Sequence, residues 1–362
     1  MATLSACLIV KNESNVIARC IESISPCVDE IVIYDTGSDD GTQDICKKYD
    51  KVKLTQGYWD MNFSRARNES FKLGSMDYLM WVDADDILEE DTINWIIDAK
   101  KRDFDGYEGI TMNYVTSVDN NNKPTFYYVR TRIVKRLSNP KWSGEIHETL
   151  SFTGKTKNVS LEDARFIHKP LKKNDPKRNY NIFKKMEKKH KGNLSTRDWF
   201  YYARESEWHD TKENAIKRYK KALSDNNMWK IDRLNAYISL SKIYEKTNKR
   251  LSYEYAYMAV PLLPIPRCDV CCRLGDLYLA DKNYKMAKMW YDLALDNITT
   301  GIDNTFCDIK YATSYPRIQL CVAEYWLGNV DKAIEYNEEY GKLVPNSKSY
   351  LYNKNFFETK EK

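Results

Sequence analysis

The hydrophobic period of this chain changes once, near residue 170, and that change restricts the folds open to it. Before it, short apolar runs at residues 4–10, 30–35, 78–82 and 106–115 read as strands, and amphipathic stretches at 14–24, 42–49, 63–73 and 91–99 read as helices. Strand, helix, strand in that order implies an α/β domain with a mostly parallel sheet, covered on both faces, whose ligands sit at the carboxyl ends of the strands. Residues 126–134 and 164–167, with a turn at Asn139-Pro140 between them, add a mixed or antiparallel edge. After residue 170 only helical periods continue. A chain of 362 residues is long enough for two bodies with separate cores. The expected division is an α/β domain over 1–170, a basic helical linker over 171–195 and helical repeats over 196–362.

The repeats have tetratricopeptide-like spacing. Leu274, Gly275, Tyr278, Ala287, Tyr291 and Ala294 fall at the intervals that let two antiparallel helices pack closely, and Trp199, Ala203, Ala215, Tyr219 and Ala222 form an earlier copy. Leu320, Ala333 and Pro345 mark a later one. Leu240, Ser241, Tyr244 and Ala256 fit with a few inserted residues, which makes about four helix pairs. Small residues such as Ala203, Gly275 and Ala287 belong where facing helices leave no room. Exposed Tyr, Arg and Asp on a concave surface could hold a peptide or a second subunit, so a homodimer is compatible with such an array.

Bulk properties exclude several classes. A net charge of +5, with acidic and basic residues mixed, implies no nucleic-acid partner. The one basic run, 169–191, reads as a solvated helix and linker or as a patch for phosphate or a membrane surface. No stretch approaches about 18 apolar residues, so no transmembrane segment is expected. The uncharged N-terminus lacks a secretory leader, and nine scattered cysteines suit a reducing compartment, which together imply a cytoplasmic protein. Cys268, Cys271 and Cys272 are either helix-core thiols or part of a zinc site.

Three clusters in the first half carry chemistry. The turn 33–42 leaves a strand at Asp35, which could accept a hydrogen bond from a base or ribose or simply close the turn, and Gly37 and Gly41 allow a close approach to a ligand. Asp83 and Asp85 follow the strand 78–82 and alternate by two, so both carboxylates can reach a divalent cation that bridges them to a diphosphate. Three acidic residues crowded beside a buried strand repel one another unless something positive sits among them. Capping of the next helix by Asp85 or Asp86 is the alternative. In the third cluster, 142–148, His147 and Glu148 offer an imidazole and a carboxylate, enough for a metal ligand and a general base, with His168 further on.

Jointly, Leu4-Ser-Ala-Cys-Leu-Ile-Val-Lys-Asn-Glu13, Asp35-Thr-Gly-Ser-Asp-Asp-Gly-Thr42, Phe63-Ser-Arg-Ala-Arg-Asn68, Val82-Asp-Ala-Asp85 and Trp142-Ser-Gly-Glu-Ile-His-Glu148 resemble family-2 glycosyltransferases of the GT-A type in order and spacing. The resemblance implies that Val10, Lys11, Asn12 and Glu13 line a nucleotide pocket and that Asp35 contacts the base. It brings Arg65, Arg67 and Asn68 toward base and diphosphate. Asp83, Ala84 and Asp85 match the family's DxD motif, with Asp85 the direct ligand of Mn²⁺ or Mg²⁺. His147, Glu148 and His168 match residues that complete the metal and acceptor site in one branch. A catalytic domain of this kind followed by tetratricopeptide repeats is similar to the glycosyltransferases that modify ribosomally made bacteriocin peptides on Cys or Ser. Two departures are Thr36 in place of a second Asp and the missing downstream Glu-Asp motif, which leaves the base unassigned.

The expected reaction is transfer of a hexose from a UDP-sugar to a Cys, Ser or Thr side chain of a peptide or protein held partly by the repeats. It proceeds by inversion and depends on a divalent metal. The competing readings are an enzyme that builds a cell-surface saccharide or lipid-linked glycan, and a non-catalytic interaction protein built on the repeats.

Overall fold

Alternation along the first strand sets the layers of the N-terminal unit. In the computed structural model of the protein, residues 1–118, 124–160, 164–171, 175–297 and 307–360 are described. They fall into two units, Met1–Lys189 and His190–Lys362. The first unit runs β1 (Leu4–Val10), α1 (Ile17–Ile24), β2 (Glu30–Asp35), α2 (Thr42–Cys46), β3 (Val52–Gln56), α3 (Phe63–Leu73), β4 (Tyr78–Asp83), β5 (Asp86–Leu88) and α4 (Glu90–Lys101). It continues with β6 (Gly109–Val118), β7 (Pro124–Lys135), β8 (Lys141–Ser143), β9 (Thr149–Ser151), β10 (Thr156–Asn158), β11 (Arg165–His168) and α5 (Arg178–Lys189). Leu4, Ala6, Leu8 and Val10 of β1 join Tyr78, Met80 and Val82 of β4 in a core completed by α1 and α4. The alternate residues Cys7, Leu79 and Trp81 face Phe71 of α3 and Trp142 of β8. Two faces separated by a period of two residues require cover on both, and the helices supply it.

The main sheet has the order β3-β2-β1-β4-β7-β6-β11-β5, with β10 also paired to β6. β3, β2, β1 and β4 are parallel. The antiparallel element anticipated at an edge lies inside the sheet, because the long hairpin of β6 and β7 returns β7 alongside β4. β10 and β11 then run parallel to β6, and β5 closes the far side antiparallel to β11. In that last pair Asp86 stands opposite His168. Part of the basic run 169–191 becomes α5, which buries Ile182, Phe183 and Met186 within the first unit. The units therefore divide at residue 189, while residues 172–174 of that run lie outside the described residues.

At the start of β2, Glu30 ties the strands together. Its carboxylate accepts hydrogen bonds from Ser5 Oγ (2.6 Å), the Ser75 N–H (2.6 Å) and Ser75 Oγ (2.9 Å), and it pairs with Lys53 Nζ at 2.6 Å. Burial opposes the charge, yet these donors outweigh it and hold the carboxyl at about 2.

The second unit is helical: α6 (Thr196–His209), α7 (Lys212–Leu223), α8 (Lys230–Tyr244), α9 (Lys249–Ala259), α10 (Cys268–Ala280), α11 (Tyr284–Asp296), α12 (Ser314–Trp326), α13 (Val330–Leu343) and α14 (Lys348–Lys360). α6 to α13 form the four expected pairs, and α14 follows. Ser195 and Asp198 make a reciprocal cap that starts α6, while Thr211, Asn248 and Asn283 cap α7, α9 and α11. A methyl group on Gly275 of α10 would meet the Tyr291 ring of α11 at 2.5 Å, which explains the small residue there. Cys268, Cys271 and Cys272 are buried in the α10 core. No described helix is long and apolar enough to cross a membrane.

Because the Glu30 carboxyl lies below its usual value, its contribution is present above about pH 4.5 and is lost as pH falls toward 2. Glu30→Gln should cost about 2 to 3 kcal/mol at pH 7. Urea unfolding of both proteins at pH 7 and in acid, followed by Trp fluorescence, checks this, with the difference expected to shrink at low pH.

Candidate active site

β1, β2 and β4 end at one edge of the sheet, and a cavity of about 560 Å³ opens there. Val10 closes β1, and its carbonyl accepts the Thr36 N–H at 2.9 Å. Asn12, in the left-handed region at φ 58°, donates its N–H to Ser38 Oγ at 2.8 Å and accepts the Asp39 N–H on its Oδ1 at 2.9 Å. Glu13 donates its N–H to Thr42 Oγ1 at 2.8 Å. These contacts fasten the segment 10–13 to the turn after β2, so that Val10, Lys11, Asn12, Glu13 and Thr36 wall one end of the cavity.

Asp35 is fully buried and is not among the lining residues. Its Oδ1 accepts the Gly37 and Ser38 N–H groups, both at 2.8 Å, whereas its Oδ2 has no hydrogen-bond partner among the described residues. Gly37, at φ 105°, is needed for that turn. Arg65 and Asn68 also lie outside the lining. Arg65 pairs with Asp60 at 2.8 Å and stacks 4.0 Å from the Tyr58 ring centroid. Asn68 exchanges two 2.9 Å hydrogen bonds with the backbone of Trp142. Both side chains brace segments that border the site, the loop before α3 and strand β8.

Arg67 is the cation that pairs with carboxylates lining the cavity. α3 presents it toward β4, where its Nη2 meets Asp83 Oδ1 at 2.8 Å and its Nε meets Glu148 Oε1 at 2.6 Å. Its guanidinium carbon sits 4.8 and 5.1 Å from the Trp81 and Trp142 ring centroids. Asp83 continues the alternation of β4 on the α3 face, which is why it faces Arg67. Burial works against its charge, but Arg67 prevails and holds the carboxyl below the usual range. Glu148 and His147 both line the cavity. His147 adopts φ 50° and stacks on Phe183 of α5, with ring centroids 6.0 Å apart.

The chain turns after Asp83, so Asp85 joins a different group. Ligand atoms of Asp85, Asp86 and His168 lie within 4.8 Å of one another. The expected set was Asp83, Asp85 and His168; here Asp86 stands with Asp85 and His168, while Asp83 turns toward Arg67. His168 Nδ1 is 3.3 Å from both Asp85 Oδ1 and Asp86 Oδ1. Burial disfavours the imidazolium, but the two carboxylates outweigh it and raise the group to about 10. A 4.8 Å spread of carboxylate oxygens and one imidazole nitrogen is a donor set of the kind that metal ions take. Asp85 and His168 face the cavity, as does Ala84, whereas Asp86 is fully buried behind them.

Sequence reasoning missed several lining residues. Trp59, Tyr128 and Arg130 come from segments without a motif, Phe63 opens the 63–68 motif but was given no role in it, and Arg178 reaches the cavity from the first turn of α5. Arg178 stands 5.4 Å from the Phe63 ring centroid. The only advance signal was the aromatic density around Trp59 and Phe63.

Residues 5–156 match the profile of Glycosyl transferase family 2. They form a family-2 glycosyltransferase domain. The SPbeta prophage-derived glycosyltransferase SunS of Bacillus subtilis is 24% identical over 324 residues, covering 86% of this chain and 72% of SunS. A TPR repeat-containing protein of Synechococcus elongatus is 38% identical over 88 residues, 24% of this chain and 22% of that protein. Among solved structures, S. aureus TarS aligns over 79% of this chain and 54% of its own, with a TM-score of 0.37 and 12% identity. The chain is thus a glycosyltransferase whose family-2 domain precedes helical repeats.

Within the transferase domain, Arg67 separates two carboxylates that would otherwise share a buried space. Arg67→Met should destabilise the domain by about 3 to 5 kcal/mol, because Asp83 and Glu148 lose their common counter-charge. Thermal unfolding at pH 7 should show a clear drop in midpoint for Arg67→Met and a smaller one for Arg67→Lys.

Proposed function

We propose that this glycosyltransferase moves a hexose from a UDP-sugar to a Cys, Ser or Thr side chain of a peptide or protein, with inversion and with the help of Mn²⁺ or Mg²⁺. The convergence of Asp85, His168, Arg67 and Glu148 on one cavity at the strand ends carries this reading. Asp85 and His168 would hold the ion, with Asp86 behind them. A bound divalent cation supplies Lewis-acid stabilisation of the departing diphosphate. Val10, Asn12 and Glu13 suit the ribose side of a nucleotide, and the buried Asp35 holds the turn behind them. Arg67 fixes the Glu148 carboxylate, which together with His147 takes the proton from a hydroxyl acceptor. A thiol ionises far more easily than a hydroxyl and needs less assistance.

The repeats supply the acceptor platform in this proposal. A relative with 24% identity that spans both units and is itself a glycosyltransferase supports a joint role for the two. The four helix pairs provide a stacked surface of the kind that holds extended chains.

Asp85→Ala should reduce transfer by at least about 100-fold while the circular dichroism spectrum is unchanged. The mass shift of an acceptor peptide reads this out, and full turnover by the variant with Mn²⁺ would remove Asp85 from the mechanism. Deleting residues 190–362 should spare slow hydrolysis of the sugar nucleotide and weaken transfer to peptide. Transfer at the full-length rate by the truncated chain would exclude the repeats as a platform.

A further inference from the structure

Arg132 of β7 has none of the roles described so far, yet it heads the largest fully buried side chains. Its guanidinium carbon lies 3.6 Å from the Trp81 ring centroid, 4.2 Å from that of Tyr114 and 4.3 Å from that of Phe166. Nη1 donates to the Trp81 carbonyl at 3.4 Å and pairs with Asp86 Oδ2 at 3.2 Å. Nε and Nη2 have no hydrogen-bond partner among the described residues. A buried ion pair is weak support for stability, and apolar residues of similar volume often serve a core better. Packing alone therefore does not explain a guanidinium enclosed by three rings.

What the side chain does achieve is to fix Asp86. The Asp86 Oδ2 that meets Arg132 also accepts the Asp83 N–H at 3.3 Å. Its Oδ1 accepts Tyr114 Oη at 3.0 Å and stands 3.3 Å from His168 Nδ1. Tyr114 Oη in turn lies 3.0 Å from the same imidazole nitrogen. The line from Arg132 through Asp86 to His168 thus runs from the core to the cavity wall, across the antiparallel pairing of β5 with β11.

We propose that Arg132 is a positioning residue for the divalent-ion site: it immobilises Asp86, which orients the His168 imidazole so that His168 and Asp85 together present their ligand atoms to the ion. This rests on the metal-dependent reading above. Groups that orient a ligating histidine typically change metal affinity by about 10- to 100-fold when removed. Asp86 acts here as an orienting carboxylate, and Arg132 supplies the charge that keeps it in place.

The test uses the full chain and two variants, Arg132→Lys, which keeps the charge without the planar fork, and Arg132→Met, which keeps the apolar contacts without the charge. Mn²⁺ binding is read by electron paramagnetic resonance of the free ion, and the kcat of transfer is measured as Mn²⁺ is raised. Both variants should bind Mn²⁺ at least about tenfold more weakly, with kcat largely recovered at saturating Mn²⁺. A purely structural role would lower the melting temperature and leave Mn²⁺ affinity unchanged. Wild-type affinity in either folded variant overturns the proposal. Should Arg132→Met fail to fold, Arg132→Lys decides, and failure of both to fold makes Arg132 a packing residue and also overturns it. If the wild-type chain takes up no Mn²⁺, the metal-dependent reading falls first and this inference falls with it.

Discussion

Four carboxyl groups, those of Asp83, Asp85, Asp86 and Glu148, meet at the carboxyl ends of the central strands, and the rest of the site is arranged to make that tolerable. Like charges this close cannot all stay ionised in a partly dry setting without cations among them. Arg67 stands between Asp83 and Glu148, Arg132 backs Asp86, and His168 faces Asp85 and Asp86. Each cation comes from a different part of the chain, so forming the α/β unit and balancing these charges are one event. Trp81 is adjoined by both Arg67 and Arg132, so one indole ring contacts the two guanidiniums.

The layering follows from simple alternation. β4 directs Tyr78, Met80 and Val82 to one face and Leu79, Trp81 and Asp83 to the other, which delivers Asp83 to the α3 side and to Arg67. A turn then interrupts the period, and β5 carries Asp86 to the strand that bears His168. Asp83 and Asp86, three positions apart, consequently have different counter-charges, Arg67 and Arg132.

Much of this was legible in the sequence. The strands β1, β2 and β4 and the helix α3 are continuous patterns, and the repeat positions Ala203, Gly275 and Ala287 are buried as their spacing requires. β3 escaped notice because Val52 and Leu54 alternate with Lys53, Thr55 and Gln56 without a polar boundary. β5, β8, β9 and β10 are three residues each, too short to show a period. Asp86 entered only as one of three crowded carboxylates, with capping by it or Asp85 as the alternative, because its partners Arg132, Tyr114 and His168 are separated from it in sequence. Arg132 itself reads as the polar phase of a strand, and nothing in its neighbourhood announces that three aromatic rings will enclose it. Among the site residues, Val10, Asn12, Glu13, Arg67, Asp83, Ala84, Asp85, His147, Glu148 and His168 do line the cavity. Asp35, Arg65 and Asn68 shape its surroundings from behind the lining.

In the function we propose, the carboxylate group at the strand ends holds a divalent ion that in turn binds a nucleotide diphosphate. The most direct measurement is calorimetric titration of the full chain with UDP in Mn²⁺ and again in EDTA. Binding at least about tenfold tighter with Mn²⁺ is the expected result, as the ion contributes charge stabilisation of several kcal/mol. Equal affinity in the two buffers would contradict the claim.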